Sequence, residues 1–160
     1  MKKLIFTLAL IATVAFATVS WAAWTFTPSV VDRDGGYITV KIVCLTDGAA
    51  LTSEDLLALT NWPDGVVDEI RGGTWMETVV VPGTSASGTA PDSAMVITFA
   101  NPEGVTIWTG SAISNTANTI QQMNDTLVTR FPNIRKELFL TMEDDFTTGD
   151  VVTLILTIFK

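Results

Sequence analysis

The side chains best suited to chemistry in this sequence are carboxylates, because the 160-residue chain contains no histidine and only one cysteine. Without histidine, the chain cannot form a Ser-His-Asp site, a Cys-His site or a zinc site based on histidine. The single cysteine, Cys44, excludes an intrachain disulfide and cysteine metal clusters. Neither standard glycine-rich phosphate loop occurs. We therefore expect that the protein is not an enzyme and that it needs no cofactor other than, at most, a calcium ion.

Acidic residues in two predicted loops are the candidate calcium ligands, because calcium is bound by oxygen atoms. The main candidate set is Glu143, Asp144, Asp145 and Asp150. A second set lies in residues 32–35, and neither set matches the twelve-residue calcium loop. The alternative is that these acids are simply solvated turn residues. The sequence leaves both interpretations open.

Carboxylate pairs and exposed tryptophans are the features that a sugar-binding or sugar-cleaving protein would use. A glycosidase needs two acids that flank the sugar, one of them with a raised pKa. The candidate acids are Asp68, Glu69, Glu77 and Glu143, although any acidic domain supplies such pairs. Trp75 and Trp108 lie in predicted strands, where a core role is commoner. Trp62 lies in a predicted turn and is the candidate for an exposed ligand contact.

Composition favours strands and argues against nucleic acid as a partner. Hydrophobic residues make up 48% of the chain and charged residues 16%, and β-branched threonine and valine are abundant. The net charge is −8, and it becomes −10 without Lys2 and Lys3. An acidic domain repels phosphate backbones and anionic lipid headgroups. Nucleic acid and a membrane surface are therefore poor candidate partners.

The N-terminal segment has the pattern of a secretory signal peptide. Lys2 and Lys3 precede an uncharged apolar run over residues 4–19, and Ser20 and Ala22 are the small residues of a cleavage site. We expect cleavage before Ala23, which leaves one domain over residues 23–160 and exports it to the periplasm or the extracellular space. The alternative for residues 1–22 is an uncleaved hydrophobic anchor, which would then be the only contact with a membrane.

The remaining residues predict an all-β domain. Apolar side chains alternate with a period of two over residues 37–45, 95–99, 138–142 and 151–159, and residues 66–71, 74–81 and 105–109 also read as strands. A capping-box pattern predicts a short helix near 53–60, and three- to four-residue spacing predicts a helix or helical excursion near 114–130. We expect a two-sheet β-sandwich, jelly-roll-like in topology, with Cys44 buried on the apolar face of its strand.

The last strand also carries apolar residues on its second face. Ile155 and Phe159 lie on the face opposite the apolar set formed by Val152, Leu154, Leu156 and Ile158. A strand that is apolar on both faces is covered on both faces. This pattern predicts either a central strand or a contact between subunits.

The order of these features resembles a group of small β-sandwich proteins from tailed phages and prophages. The residues that carry the resemblance are Trp24-Thr25-Phe26, the strand over 38–43 followed by Thr46-Asp47-Gly48, and residues 79–83, 90–91, 95–99, 104–105, 138–141 and 149–154. The resemblance implies a virion component of the head, collar or tail without enzymatic activity. It transfers no functional residue, and the export-type leader departs from it because virions assemble in the cytoplasm.

Two functions follow as expectations. The first is a structural subunit of a phage-like particle or an extracellular assembly, whose partners are further copies of itself or other structural subunits. The alternative is a secreted carbohydrate-binding or adhesin-like module that uses Trp62 and loop carboxylates. The first places the protein in a virion or an extracellular assembly, and the second outside the cell.

Overall fold

A computed structural model of the chain describes residues 24–83, 89–122, 134, 136–143 and 146–160. Within these residues the chain forms nine strands, one five-residue helix and one 3₁₀ turn. The strands are β1 (Thr25–Asp34), β2 (Tyr37–Asp47), β3 (Leu51–Asp55), β4 (Thr74–Pro82), β5 (Met95–Ala100), β6 (Thr106–Ile113), β7 (Thr119–Gln122), β8 (Phe139–Glu143) and β9 (Thr148–Phe159). The helix α1 is Val66–Ile70, and the 3₁₀ turn is Leu56–Ala58.

The strands form two antiparallel sheets. The five-stranded sheet has the order β1-β2-β9-β4-β7, and the four-stranded sheet has the order β3-β8-β5-β6. The prediction of a two-sheet β-sandwich with jelly-roll-like architecture is therefore confirmed. The last strand, β9, lies between β2 and β4. It is thus the central strand that its two apolar faces predicted.

The core lies between the inner faces of the two sheets. In β2, Ile38, Val40, Ile42 and Cys44 are all 0% exposed, and they alternate with half-buried or exposed residues. Burying a side chain of this size stabilises the fold by about 1.5–3 kcal/mol. Burial also raises the pKa of the Cys44 thiol, since the thiolate would lose its hydration. The prediction of a buried thiol at this position is confirmed.

An aromatic contact joins the two sheets. Trp75 of β4 packs edge-to-face against Phe99 of β5, with ring centroids 4.6 Å apart and planes at 87°. Both side chains are fully buried. Edge-to-face geometry brings the positive ring edge of one residue to the negative face of the other. Trp75 is therefore a core residue, as its strand position predicted.

Within residues 66–71, which were predicted to form a strand, residues 66–70 form a helix. Val66 and Ile70 of α1 are four residues apart and both buried, which is helical spacing. The turn at Gly65, with φ +76°, starts the helix, and the Glu69 amide donates to the Gly65 carbonyl at 3.2 Å. The β-branched valines suggested a strand, but five residues are too few to separate the two periods. The strand prediction here is wrong.

The helix predicted near 53–60 is reduced to the 3₁₀ turn Leu56–Ala58. The preceding residues pair instead with β8 as strand β3. The cap is Asp55, whose Oδ1 accepts from the Leu57 amide at 3.0 Å and from the Leu138 amide at 3.1 Å. A carboxylate that accepts from an orphan amide caps a helical turn. Pairing of β3 with β8 therefore limits the helix to a single turn.

The helix predicted near 114–130 is wrong where the structure describes this segment. Residues 119–122 form β7, which pairs with β4 through Val79 and Ile120. The free edge of β4 supplies backbone partners, whereas asparagine and threonine lower the helix propensity of this segment. Residues 123–130, the leader over 1–22 and residues 84–88 lie outside the described residues. Among the described residues, none of the helical segments has the length and apolar character needed to cross a membrane.

Candidate functional site

The predicted calcium ligands that the structure describes lie in different sheets. Glu143 ends β8 in the four-stranded sheet, is exposed, and pairs with Val96. Asp150 belongs to β9 in the five-stranded sheet and is 1% exposed. Asp144 and Asp145 lie outside the described residues. Among the residues that are described, no group of three or more potential ligands could hold a metal ion.

The Asp150 carboxylate is instead surrounded by hydrogen-bond donors of the protein. Its Oδ2 accepts from the Thr147 amide at 2.7 Å, and its Oδ1 accepts from the Thr147 hydroxyl at 3.1 Å. Oδ1 also accepts from the Thr89 hydroxyl at 2.7 Å. Buried carboxylates are stable when donors satisfy their oxygens. Asp150 therefore serves as an anchor that joins the start of β9 to the segment around Thr89.

Backbone hydrogen bonds extend this anchor along the strand. The Val151 amide donates to the Thr89 carbonyl at 2.9 Å, and the Gly83 amide donates to the Val151 carbonyl at 2.8 Å. Gly83 has φ +62°, and a Cβ placed there would lie 2.7 Å from the Ala90 amide nitrogen. Both the backbone angle and the close approach require glycine. The two ends of the connection after β4 are thus held against β9.

Trp62, the predicted ligand contact, is partly buried and packs against the hydrophobic core. Its indole Nε1 donates to the Leu56 carbonyl at 2.7 Å. That bond satisfies a carbonyl of the 3₁₀ turn, so the ring holds the turn against the core. This arrangement leaves only part of the ring in contact with solvent.

Trp108, which was also considered as a ligand contact, and Trp24 are partly buried and pack against the core. Trp108 is half-buried against Phe99, with centroids 5.9 Å apart. Trp24 packs edge-on against Phe146 at 5.0 Å, and its indole Nε1 donates to the Ala49 carbonyl at 2.9 Å. Both rings are engaged with protein groups. Their packing gives them structural roles.

The candidate glycosidase acids are dispersed. Glu69 of α1 lies 3.2 Å from Arg33 Nη2 and 2.6 Å from Lys160 Nζ. The hydrogen bond from Lys160, helped by the positive charges of Arg33 and Lys160 and opposed by desolvation, lowers the Glu69 pKa. A general acid needs the opposite shift. Asp68 is exposed, with Arg71 3.7 Å away.

The outer face of the five-stranded sheet carries a row of residues that the sequence alone did not reveal. Here "outer face" means the side of that sheet that points away from the four-stranded sheet. Strand pairing aligns four of its residues in one row across four strands: Lys41, Ile155, Val79 and Ile120. Ile120 is 64% exposed, and the other three are half-buried. In the sequence, only the apolar second face of β9 pointed to this surface, because the row itself depends on the order of the strands.

The edge strand β1 is protected against further pairing. Its pairing with β2 shifts between Val30 and Asp32, which leaves Val31 as an extra residue that is 56% exposed. The Tyr37 hydroxyl donates to Asp32 Oδ2 at 2.8 Å, and this bond raises the Tyr37 pKa. Bulges and charges discourage the pairing of edge strands. The end of β1 is thus poorly suited to extension of the sheet.

No model of a known protein family and no curated protein matches this chain. A solved structure that matches is the crystal structure of a cupin domain from Bordetella pertussis Tohama I. The sequence identity is 14%, the match covers 83% of this chain and 92% of that chain, and the TM-score is 0.31.

With this match, the prediction that the chain is not an enzyme is withdrawn. A TM-score of 0.31 supports no argument about what this chain does. Fold and function are also separable, since one fold carries many activities. The correction therefore removes the prediction and puts no activity in its place.

Proposed function

We propose that this chain is a structural subunit of a phage-like particle or an extracellular assembly, and that it associates with further copies of itself. The observation that carries the proposal is the set of three neighbouring aliphatic residues in the row on the outer face: Ile120, 64% exposed, and the half-buried Val79 and Ile155. Removing such side chains from water favours association by about 25 cal/mol per Å². Contiguous apolar surface on a soluble domain marks an interaction site.

The bulge and the charges at the end of β1 affect which surface two copies of the chain can share. The extra residue Val31 and the charges of Asp32, Arg33 and Asp34 oppose addition of another strand at that end. Packing through a sheet face does not require free backbone groups. Association through the outer face is therefore favoured over continuation of the sheet at β1.

Two sequence features indicate where the protein would assemble. The resemblance to virion proteins supports a head, collar or tail component, whereas the leader supports assembly outside the cytoplasm after cleavage before Ala23. Intact-mass measurement of the protein released by the producing cell distinguishes the two. A mass lacking residues 1–22 supports an extracellular assembly. A retained leader supports a particle assembled inside the cell.

Sedimentation equilibrium of the full chain, expressed with its leader and purified as the cell releases it, tests the proposal. Over a range from about 1 µM to about 1 mM, the average mass should rise above that of the monomer, since even weak subunit contacts fall within this range. A monomer throughout the range would overturn the proposed function. A mixture of reversible dimers and larger species supports it.

The secreted carbohydrate-binding module is the alternative, and Trp62 is its main residue. The hydrogen bond from Trp62 to Leu56 and its packing against the core leave less of the ring free to stack on a sugar. A glycan array with and without calcium tests this alternative. Binding that disappears in Trp62→Phe would support it over the structural subunit.

A further inference from the structure

We infer that two copies of this chain pack face to face through the outer face of the five-stranded sheet, with each Lys41 paired to Glu77 of the partner subunit. The inference rests on the proposed function and adds to it the surface and the contacts. It follows from three features of the outer face: two separate opposite charges, their placement about the central strand, and the aliphatic residues beside them.

The charges of Lys41 and Glu77 have no ion-pair partner among the described residues. Both side chains are half-buried. Lys41 alternates with the buried residues Val40 and Ile42 of β2, so it lies on the outer face. A partly desolvated charge is stabilised when an opposite charge approaches. Lys41 therefore favours contact with a negative charge, and Glu77 favours contact with a positive charge.

Strand pairing places these charges on opposite sides of β9. Lys41 of β2 is the register partner of Ile155, and Glu77 of β4 is the register partner of Thr157. With strands about 4.8 Å apart and residues on one face about 7 Å apart, the two Cα atoms are about 12 Å apart. The line between them crosses β9 between Ile155 and Thr157. Lys41 and Glu77 therefore lie at similar distances on either side of this point.

A two-fold axis through that point makes the outer face self-complementary. The axis lies in the plane of the interface and runs perpendicular to the line from Lys41 to Glu77. Rotation about it places each Lys41 opposite Glu77 of the partner subunit and packs Ile155 near its own copy. A two-fold contact of this kind closes on itself and uses the same patch twice. One unpaired cation and one unpaired anion per copy then become two ion pairs.

The aliphatic residues of the row lie next to the charges, with Ile155 between them. Val79, Ile155 and Ile120 are neighbours across β4, β9 and β7. Three other residues on this side, Val81, Val151 and Thr153, are at most 9% exposed within the chain itself. The part of the outer face that is open to a second copy therefore lies toward the C-terminal half of β9, where the two charges are. Aliphatic side chains beside one cation and one anion let the same patch on two copies match in charge.

Charge exchange at the two positions tests the inference. The full chain is compared with Lys41→Glu, with Glu77→Lys and with the double variant that carries both changes. Sedimentation equilibrium gives the dimer Kd of each, and thermal unfolding checks that each is folded. Each single change creates two like-charge contacts per dimer and should raise Kd by about tenfold or more. The double variant restores both ion pairs with exchanged signs and should regain a Kd within about threefold of the original.

The outcomes separate this inference from the function on which it rests. If the wild type dimerises and the single variants bind equally well, the interface lies elsewhere; the inference is overturned and the proposed function stands. If both singles weaken the dimer and the double variant stays weak, the two residues do not face one another, which also overturns the inference. A wild type that stays monomeric overturns the proposed function itself.

Discussion

The Thr89 hydroxyl donates a 2.7 Å hydrogen bond to Oδ1 of Asp150, although the two residues are 61 positions apart in the chain. The same carboxylate binds the amide and hydroxyl of Thr147. Three donors on one buried acceptor fix the start of the central strand. They also hold the segment around Thr89 against it.

Asp150→Ala should lower the free energy of unfolding by about 3 kcal/mol, because it leaves the Thr147 amide and two hydroxyls without their charged acceptor. Thr89→Val removes one of these bonds and should lower it by about 1 kcal/mol. Urea unfolding measures both. Thr27→Val is the matched control, since Thr27 is exposed on β1 and its hydroxyl has no hydrogen-bond partner among the described residues. An Asp150→Ala variant as stable as this control would show that the anchor contributes nothing.

The contact between Glu69 and Lys160 should make stability depend on pH. The pKa of Glu69 is lowered in the folded protein from its ordinary value of 4.5. Its contribution is therefore complete above pH 4.5 and is lost as the pH falls through the lower folded pKa. Thermal unfolding of Glu69→Gln should show a deficit at neutral pH that disappears in this acidic window.

Lys160→Met is the partner variant for the same measurement. It removes the main cause of the lowered Glu69 pKa. In a Lys160→Met background, the loss of stability caused by Glu69→Gln at neutral pH should therefore be smaller but still present, because Arg33 remains 3.2 Å from Glu69. If the wild type and Glu69→Gln lose stability in parallel as the pH falls, Glu69 is not the group responsible.

Gly83→Ala should destabilise the fold more than Gly104→Ala. Both glycines have positive φ, +62° and +75°, so each substitution carries the penalty of about 1 kcal/mol for a left-handed alanine. At Gly83 the added Cβ also meets the Ala90 backbone at 2.7 Å, whereas at Gly104 it meets open space. We expect a total loss of about 2–3 kcal/mol at Gly83, measured by urea unfolding. Equal losses at the two positions would mean that the Ala90 segment moves away freely.

Trp62→Phe should lower stability by about 1 kcal/mol, because the Leu56 carbonyl loses the 2.7 Å hydrogen bond from the indole. Trp62→Ala, which also removes the ring from the core, should lower it by about 3 kcal/mol or more. Thermal or urea unfolding gives both values. A ring that acts only as a sugar platform would leave stability unchanged in both variants.

The sequence was sufficient where side-chain periodicity was long and regular. The alternation of Ile38, Val40 and Ile42 predicted β2. The two apolar faces of the last strand predicted a central strand or a subunit contact, and the strand is central. It was insufficient for α1, because Val66 and Ile70 are a single helical repeat and β-branched residues also suit strands. Five residues cannot separate the two interpretations.

The candidate sites are formed by residues that are far apart in the sequence, and no local sequence pattern predicts which of them come together. Asp150 was a candidate calcium ligand, beside the alternative of a solvated turn acid, because acidic residues are dense near it; its partner Thr89 lies in a distant segment. Lys41 and Glu77 lie on opposite sides of β9 only because β2 and β4 both pair with it. Strand order in a sandwich is set by the packing of the whole domain. The outer face therefore became visible only with the topology.

The most direct test of assembly through the outer face is a mixing experiment with Lys41→Glu and Glu77→Lys. Each variant alone would place like charges opposite one another. In a mixed pair, the two introduced side chains, of opposite charge, would meet at one contact, and the native Lys41 and Glu77 would meet at the other. Sedimentation equilibrium of each variant and of their equimolar mixture gives the result. We predict weak association of each variant alone and a dimer of wild-type strength in the mixture. A mixture that associates no better than its two components would contradict the account.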